Sequence, residues 1–187
     1  MSVAVASWRE AVWPTARVVA WTPVLGVAGG LIVVGLLFRS LEAVSATVFG
    51  MGAAAIAATV VFSLRDPAAA VLAAVPVSRL TRRLLRLAIV GVVVAPVWLL
   101  LALTLTGTGT GPAPVLALTS AGMAAATWLP PDGDIAVAAA VPLLWVTLSE
   151  ILGLGFRSLD GTVDLWSTHP WSVVAGCVGL VILGRHR

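Results

Sequence analysis

The chain has 187 residues, of which 60% are hydrophobic and only 10% are charged. Soluble domains carry about 25% charged residues, so this composition excludes a water-soluble globular domain and predicts an integral membrane protein. The net charge is +3, and all 11 basic residues are arginines. A chain without lysine cannot be a Walker A ATPase, a pyridoxal-phosphate enzyme or a retinal protein, because each of these uses a lysine amine.

Six apolar stretches approach the length of about 20 residues that a helix needs to cross a bilayer. The sequence therefore predicts an all-α integral membrane protein in which residues 1–187 form a single transmembrane domain of six helices. The predicted spans are residues 18–38, 43–64, 84–106, 113–129, 135–154 and 168–184.

The arginines orient these spans. If the N-terminus and the C-terminus are both cytoplasmic, nine of the 11 arginines lie on the cytoplasmic side, and only Arg39 and Arg157 fall outside. Basic residues accumulate on the cytoplasmic side of membrane proteins, so we predict that both termini are cytoplasmic.

Two further patterns concern the membrane itself. Indole rings prefer the headgroup level, so we expect the tryptophans near the ends of the spans to be membrane anchors; they include Trp8, Trp13, Trp21, Trp128, Trp166 and Trp171.

Small residues allow helix backbones to approach each other closely. We expect such close approach along the first two spans, at Gly26, Gly30, Gly35, Gly50 and Gly52.

The loop between the second and third spans is unusually apolar for a cytoplasmic segment. No residue between Asp66 and Arg79 is charged. Asp66 is a good N-cap, Pro67 suits the first helical position and Pro76 ends the helix. A helix of two turns is marginal in water. We therefore expect the membrane surface, the protein's own bundle or a groove on a partner to cover it.

A basic segment follows this short helix, at the foot of the third span. We expect its four arginines to set the orientation of the span in the membrane and to contact anionic lipid headgroups. Docking of a partner is compatible with that interpretation. The four are Arg79, Arg82, Arg83 and Arg86.

Together these features resemble the permease subunits of the type-two ABC exporter family, in particular its small actinobacterial members. In that family a short coupling helix between spans two and three enters a cleft in a separate ATPase. The resemblance implies that residues 1–17 form an interfacial connecting helix and that residues 66–76 form the coupling helix. It implies ATPase-coupling roles for Asp66, Pro67, Val71, Leu72, Val75, Pro76, Arg79, Arg82 and Arg83.

The resemblance also implies partners and a location. The chain would form a dimer, homomeric or with a similar permease, in the lipid bilayer of a bacterial inner membrane, and it would bind no nucleic acid. It would hold no cofactor directly, because ATP and Mg²⁺ bind to the partner ATPase. The cargo would be an amphipathic or hydrophobic compound such as a drug, peptide, lipid or natural product. The family's short re-entrant helices would have to fit within residues 153–170, as one small turn or two.

Ionisable groups within the spans are few. Glu150 lies toward the outer end of the fifth span, where a carboxylate is costly and therefore a functional candidate; the alternative is that it simply reaches the interface. Arg157 or Arg39 would pair with it, and Glu150 and Arg157 are the candidates for a pathway or gate. We find no nucleophile with a base and no metal-binding motif, so the sequence predicts neither a catalytic nor a metal site.

Two other functions fit the same sequence. One is the substrate-binding membrane subunit of an energy-coupling-factor importer, which resembles this chain in size and in number of spans and binds a small solute by itself. The other is a membrane scaffold without a pathway, which uses the apolar cytoplasmic helix only to hold a partner. Stimulation of an ATPase separates the exporter from the scaffold, since a scaffold need not couple binding to turnover.

Overall fold

The computed structural model describes residues 17, 21–38, 40, 42–65, 79–105, 111–130, 133–155 and 164–184. Within these ranges every regular element is an α-helix, which confirms the predicted all-α class. The helices are α1 (Trp21–Phe38), α2 (Glu42–Phe62), α3 (Arg79–Leu105), α4 (Ala113–Trp128), α5 (Ile135–Gly155), α6 (Leu165–Thr168) and α7 (Pro170–Gly184).

Three stretches of helix are long and apolar enough to cross a membrane, namely Trp21–Phe38, Leu85–Thr104 and Ile135–Leu152. Three shorter apolar helices accompany them, at Ala46–Phe62, Ala113–Trp128 and Pro170–Gly184. Large apolar side chains such as Leu37 and Val92 are 66% and 76% exposed. Helices that are apolar on the outward face as well as inward are typical of membrane proteins, as the composition predicted.

The helices occupy the six stretches that the sequence predicted as spans. The largest difference is at α3, which begins at Arg79 instead of residue 84. Leucine and arginine are good helix formers, so the helix continues backwards through the basic segment. Between α5 and α7 the described part of the chain adds the single turn of α6, within the segment where one small turn or two were expected.

Helix α2 lies at the centre of the bundle. It packs against α1, α3, α4 and α5, whereas α7 packs against α4. Helices α1 and α3 contact each other, and so do α4 and α5. In the described ranges neither α1 nor α3 comes close to α4 or α5. The buried face of α2 is formed largely by alanines, with Ala53, Ala54 and Ala57 fully buried. Short side chains there let neighbouring backbones come close.

The closest packing lies where α2, α4 and α5 meet. A Cβ atom on Gly122 of α4 would lie 2.6 Å from Cγ2 of Val61 and 3.3 Å from the carbonyl oxygen of Ala138. Pro142, inside α5, has no N–H to donate to that carbonyl. The α5 backbone lies close to α4 at this point, and a side chain at position 122 would overlap Val61.

The tryptophans divide between surface and core. Trp171 is 63% exposed and Trp128 is 43% exposed, as expected of anchors. Trp166 is only 6% exposed, so the prediction that it anchors the chain at the membrane surface is wrong. The reason lies on α2: Gly50 has no side chain, and the Trp166 ring fills the space against it.

Candidate functional site

The predicted ATPase-coupling segment lies between the end of α2 and the start of α3. Residues 66–78, with Asp66, Pro67 and Pro76, lie outside the described residues. The backbone at Arg79 and the following arginines is helical as part of α3. Val71, Leu72 and Val75 also lie outside the described residues. For Arg82 and Arg83 the structure describes the backbone only. The structure therefore describes the two helix ends that hold the segment.

These two helix ends are joined by a buried arginine. Arg86, in the third turn of α3, is only 4% exposed. Its Nη1 atom donates a hydrogen bond to the backbone carbonyl oxygen of Arg65, just after α2, with an N–O distance of 2.8 Å. The expectation that Arg86 contacts lipid headgroups is therefore wrong. It packs inside the protein and connects α3 to α2 across the base of residues 66–78.

The chemistry of this joint favours the charged side chain. The Arg65 carbonyl lies three residues beyond Phe62, the last residue of α2, and the C-terminal end of a helix carries partial negative charge. A guanidinium group there satisfies the acceptor and complements the charge. In the structure Arg86 shares a helix face with Val90, which is fully buried, and the row of four arginines contained no local signal of this burial.

At the opposite end of α2, a polar contact joins α2 to α5. The hydroxyl of Thr47 donates to Oε2 of Glu150, with an O–O distance of 3.2 Å. Thr47 and Phe62 are 15 residues apart on one helix, so the two polar contacts are separated by roughly 22 Å along α2. Arg39 and Arg157, the partners predicted for Glu150, lie outside the described residues. Thr47 was not among the predicted site residues.

Trp166 lies beside this contact. A Cβ atom on Gly50 would be 3.3 Å from Cη2 of Trp166 and 3.5 Å from Cγ1 of Val146, and Val146 is one turn before Glu150 on α5. The indole N–H of Trp166 is buried, and no hydrogen-bond acceptor for it lies among the described residues. An unsatisfied buried donor costs about 1–3 kcal/mol. The Trp166 ring is therefore held by packing.

An apolar groove opens along one side of α2, between α1 and α5. It has a volume of 380 Å³ and is lined by Pro23 and Val27 of α1, by α2, and by Leu143 and nearby alanines of α5. Its polar side chain is Thr59, whose hydroxyl donates to the Ala55 carbonyl in its own helix at 2.7 Å. The groove can thus accept an apolar group, but it offers no free side-chain donor to orient a polar one.

In the part of the chain that the structure describes, no three side chains from His, Cys, Asp and Glu come together in a group that could hold a metal ion. Comparison of the chain with protein-family models, with curated proteins and with solved structures gave no match.

Proposed function

We propose that this chain is the membrane permease subunit of an ATP-driven ABC exporter. A separate ATPase subunit would dock on residues 66–78 and would bind the ATP and Mg²⁺. Both termini would be cytoplasmic, and α1–α5 and α7 would be the six spans. The chain would lie in a plasma membrane, most simply a bacterial inner membrane.

One observation carries this proposal. The segment with the predicted docking residues is joined directly to α2, and α2 packs against α1, α3, α4 and α5. A displacement of residues 66–78 by an ATPase would therefore act on the helix that contacts four of the other long helices. Packed helices with small residues at their contacts can slide or change between discrete arrangements. This is the mechanical property that a coupled permease requires.

The groove between α1 and α5 supports an apolar cargo. Its lining is apolar apart from Thr59, so burying the apolar surface of a hydrophobic or amphipathic molecule in it is favourable. A drug, peptide, lipid or natural product with an apolar portion fits this description. Movement of α2 against α1 and α5 would change the width of the groove.

An exposed glycine face on α1 supports a dimer with an identical or similar chain. Gly26, Gly29 and Gly30 are exposed, and Cβ atoms at these positions would have no heavy atom within 4 Å. Glycines four residues apart on a membrane helix allow a second helix to approach closely. We expect Gly26→Leu and Gly30→Leu to weaken dimerisation in detergent. Cross-linking measures this, and unchanged cross-linking would mean that the dimer uses another face.

Orientation is tested by labelling single cysteines in whole cells. The one cysteine, Cys177, is replaced by serine, and the exposed residues Ser40 and Arg65 are changed to cysteine one at a time. A membrane-impermeant maleimide should label the Ser40→Cys variant and should label the Arg65→Cys variant only after the cells are lysed. The reverse pattern would contradict cytoplasmic termini.

The function is tested by co-expression with ATPase subunits encoded beside this chain, followed by pull-down and measurement of ATP turnover. The deciding variant carries Leu72→Asp and Val75→Asp on the predicted apolar face. The matched control carries Ala70→Asp and Ala73→Asp, which add the same charge to the other side of the predicted helix. We expect the first variant to lose the ATPase and the control to retain it.

The other outcomes discriminate between the alternatives. If the wild-type chain retains no ATPase, the exporter proposal is wrong, and binding of a small solute by the isolated chain tests the energy-coupling-factor alternative. An ATPase that is retained without stimulated turnover would favour a scaffold. Thermal unfolding of each variant in detergent shows that the introduced aspartates leave the bundle folded.

A further inference from the structure

Arg86 is a buried charged residue at the point where the predicted coupling segment meets the bundle. It is 4% exposed, and among the described residues the other buried polar side chains are the uncharged Thr59, Ser63 and Ser149. Those three hydroxyls all donate to carbonyls three or four residues earlier in the chain. Arg86 instead donates to a carbonyl beyond its own helix, that of Arg65.

The geometry ties two helix ends together. Arg65 immediately precedes residues 66–78 and Arg79 immediately follows them. The hydrogen bond from Arg86 to the Arg65 carbonyl therefore closes the base of that segment. A buried guanidinium is costly to separate from its acceptor, so the ends of α2 and α3 resist being pulled apart. Val60 of α2 and Val90 of α3 pack next to this joint in one buried cluster.

We propose that Arg86 is a positioning residue that makes α2 and α3 move as one unit when an ATPase acts on residues 66–78. The inference rests on the proposed function, because it concerns transmission of that movement. With the Arg86 bond intact, displacement of the segment moves both helices relative to α4 and α5. Without it, α2 can move relative to α3, and less of the displacement reaches α3 and the α1 helix that packs against it.

The first test uses Arg86→Met, which removes the charge but keeps much of the side-chain volume. In the complex with the co-expressed ATPase, we expect this variant to retain the ATPase in pull-down. Stimulation of ATP turnover by the permease should fall toward the rate of the ATPase alone, because the variant lacks the bond that joins α2 to α3. Arg86→Lys keeps a positive donor and should recover part of the stimulation.

The matched control is Arg65→Ala. Its side chain is exposed, and the substitution removes a positive charge from the same region while leaving the acceptor, a backbone carbonyl, in place. We expect normal stimulation. If Arg86→Met binds the ATPase and stimulates it like the wild type, the positioning role is wrong and the proposed function stands. Failure of the wild-type chain to bind any ATPase would instead contradict the proposed function.

If Arg86→Met does not fold, a second measurement tests the joint movement of α2 and α3 that the proposal requires. Spin labels are placed on cysteines at exposed positions in the Cys177→Ser background, so that Arg86 stays intact. We expect the distance between labels at Arg65 and Ala88 to stay constant when the ATPase is trapped with vanadate. The distance between labels at Arg65 and Val137 should change. A change of equal size in both pairs would show that α2 and α3 do not move together.

Discussion

Helix α2 meets its neighbours differently on its two sides. Toward α4 and α5 the contact is closed, and the Ala138 carbonyl would lie 3.3 Å from a Cβ on Gly122. Toward α1 the bundle is open: a groove of 380 Å³ separates α1 from α5, and Gly26, Gly29 and Gly30 lie on the exposed face of α1, where a Cβ atom would meet nothing within 4 Å. Both sides are built from small apolar residues. Similar composition thus produces a tight contact on one side and an open one on the other.

The comparison teaches that backbone geometry, and not residue size alone, makes the contact tight. Pro142 cannot donate a hydrogen bond to the carbonyl of Ala138, and that carbonyl lies against Gly122 of α4. Helix α1 contains Pro23 only in its first turn, where proline is tolerated because the first N–H groups lack partners anyway. We expect the closed side to respond strongly to added atoms and the open side hardly at all.

The largest effect should come from Gly122→Ala, which breaks the closed side. The new methyl group would overlap a methyl group of Val61 and crowd the backbone carbonyl of Ala138. Overpacking of this kind costs about 1–3 kcal/mol of unfolding free energy. Thermal unfolding in detergent measures it, and Gly179→Ala is the control, because a Cβ there meets nothing within 4 Å. Equal melting temperatures for the two variants would contradict the tight contact.

Gly52→Ala should lower the unfolding free energy less than Gly122→Ala does. The comparison shows whether the neighbouring side chain can move to make room for the new methyl group. A Cβ atom at position 52 would lie 2.6 Å from Cδ2 of Leu101, as short as the closest contact at Gly122. The obstacle is the end of a flexible side chain, so the leucine can shift at a cost of about 1 kcal/mol. Chemical unfolding of both variants ranks them. A larger loss for Gly52→Ala than for Gly122→Ala would show that Leu101 cannot move.

The polar contact at the Glu150 end of α2 should contribute less than either glycine. Thr47→Val, Glu150→Gln and the double variant form a cycle that isolates the hydrogen bond. We expect a coupling free energy of about 0.6 kcal/mol, the average for hydrogen bonds between membrane helices. Thermal unfolding of the four proteins gives this value. Coupling several times stronger would show that Glu150 and Thr47 form a structural clamp.

The smallest effect should come from Gly30→Ala on the open side. Nothing lies within 4 Å of the new methyl group, and alanine favours helix by about 1 kcal/mol relative to glycine. The monomer should therefore be unchanged or slightly more stable in thermal unfolding under dilute detergent conditions. A clear loss of stability would mean that another part of the same chain covers this face.

Much of the fold was predictable from the sequence because apolar runs between proline, glycine and charged residues define helices in a membrane. The ends of α4 and α5 agree with the predicted spans to within one residue. The candidate site was predicted less well. Glu150 was identified from the cost of a carboxylate in an apolar run, but its partner Thr47 is 103 residues away in sequence. No local pattern connects the two.

The tryptophans and arginines show the same limit. Trp166 and Trp171 have similar surroundings in sequence, yet Trp166 is buried and Trp171 is 63% exposed. Arg86 belongs to a row of arginines that predicts contact with lipid headgroups, yet it bonds to the Arg65 carbonyl inside the protein. In both cases the outcome depends on what a different helix presents, a gap at Gly50 or an unsatisfied carbonyl after α2.

The sequence by itself determined the class of protein and the position of its helices, because hydrophobicity and helix-breaking residues act locally along the chain. Only the tertiary structure decided that α2 is central, that Gly122 is enclosed while Gly26 is open, and that α2 is bonded to α3 at one end and to α5 at the other. These properties depend on contacts between residues far apart in sequence. Apolar helices in a membrane are alike in hydrophobicity, so shape and a few hydrogen bonds select which of them pack together.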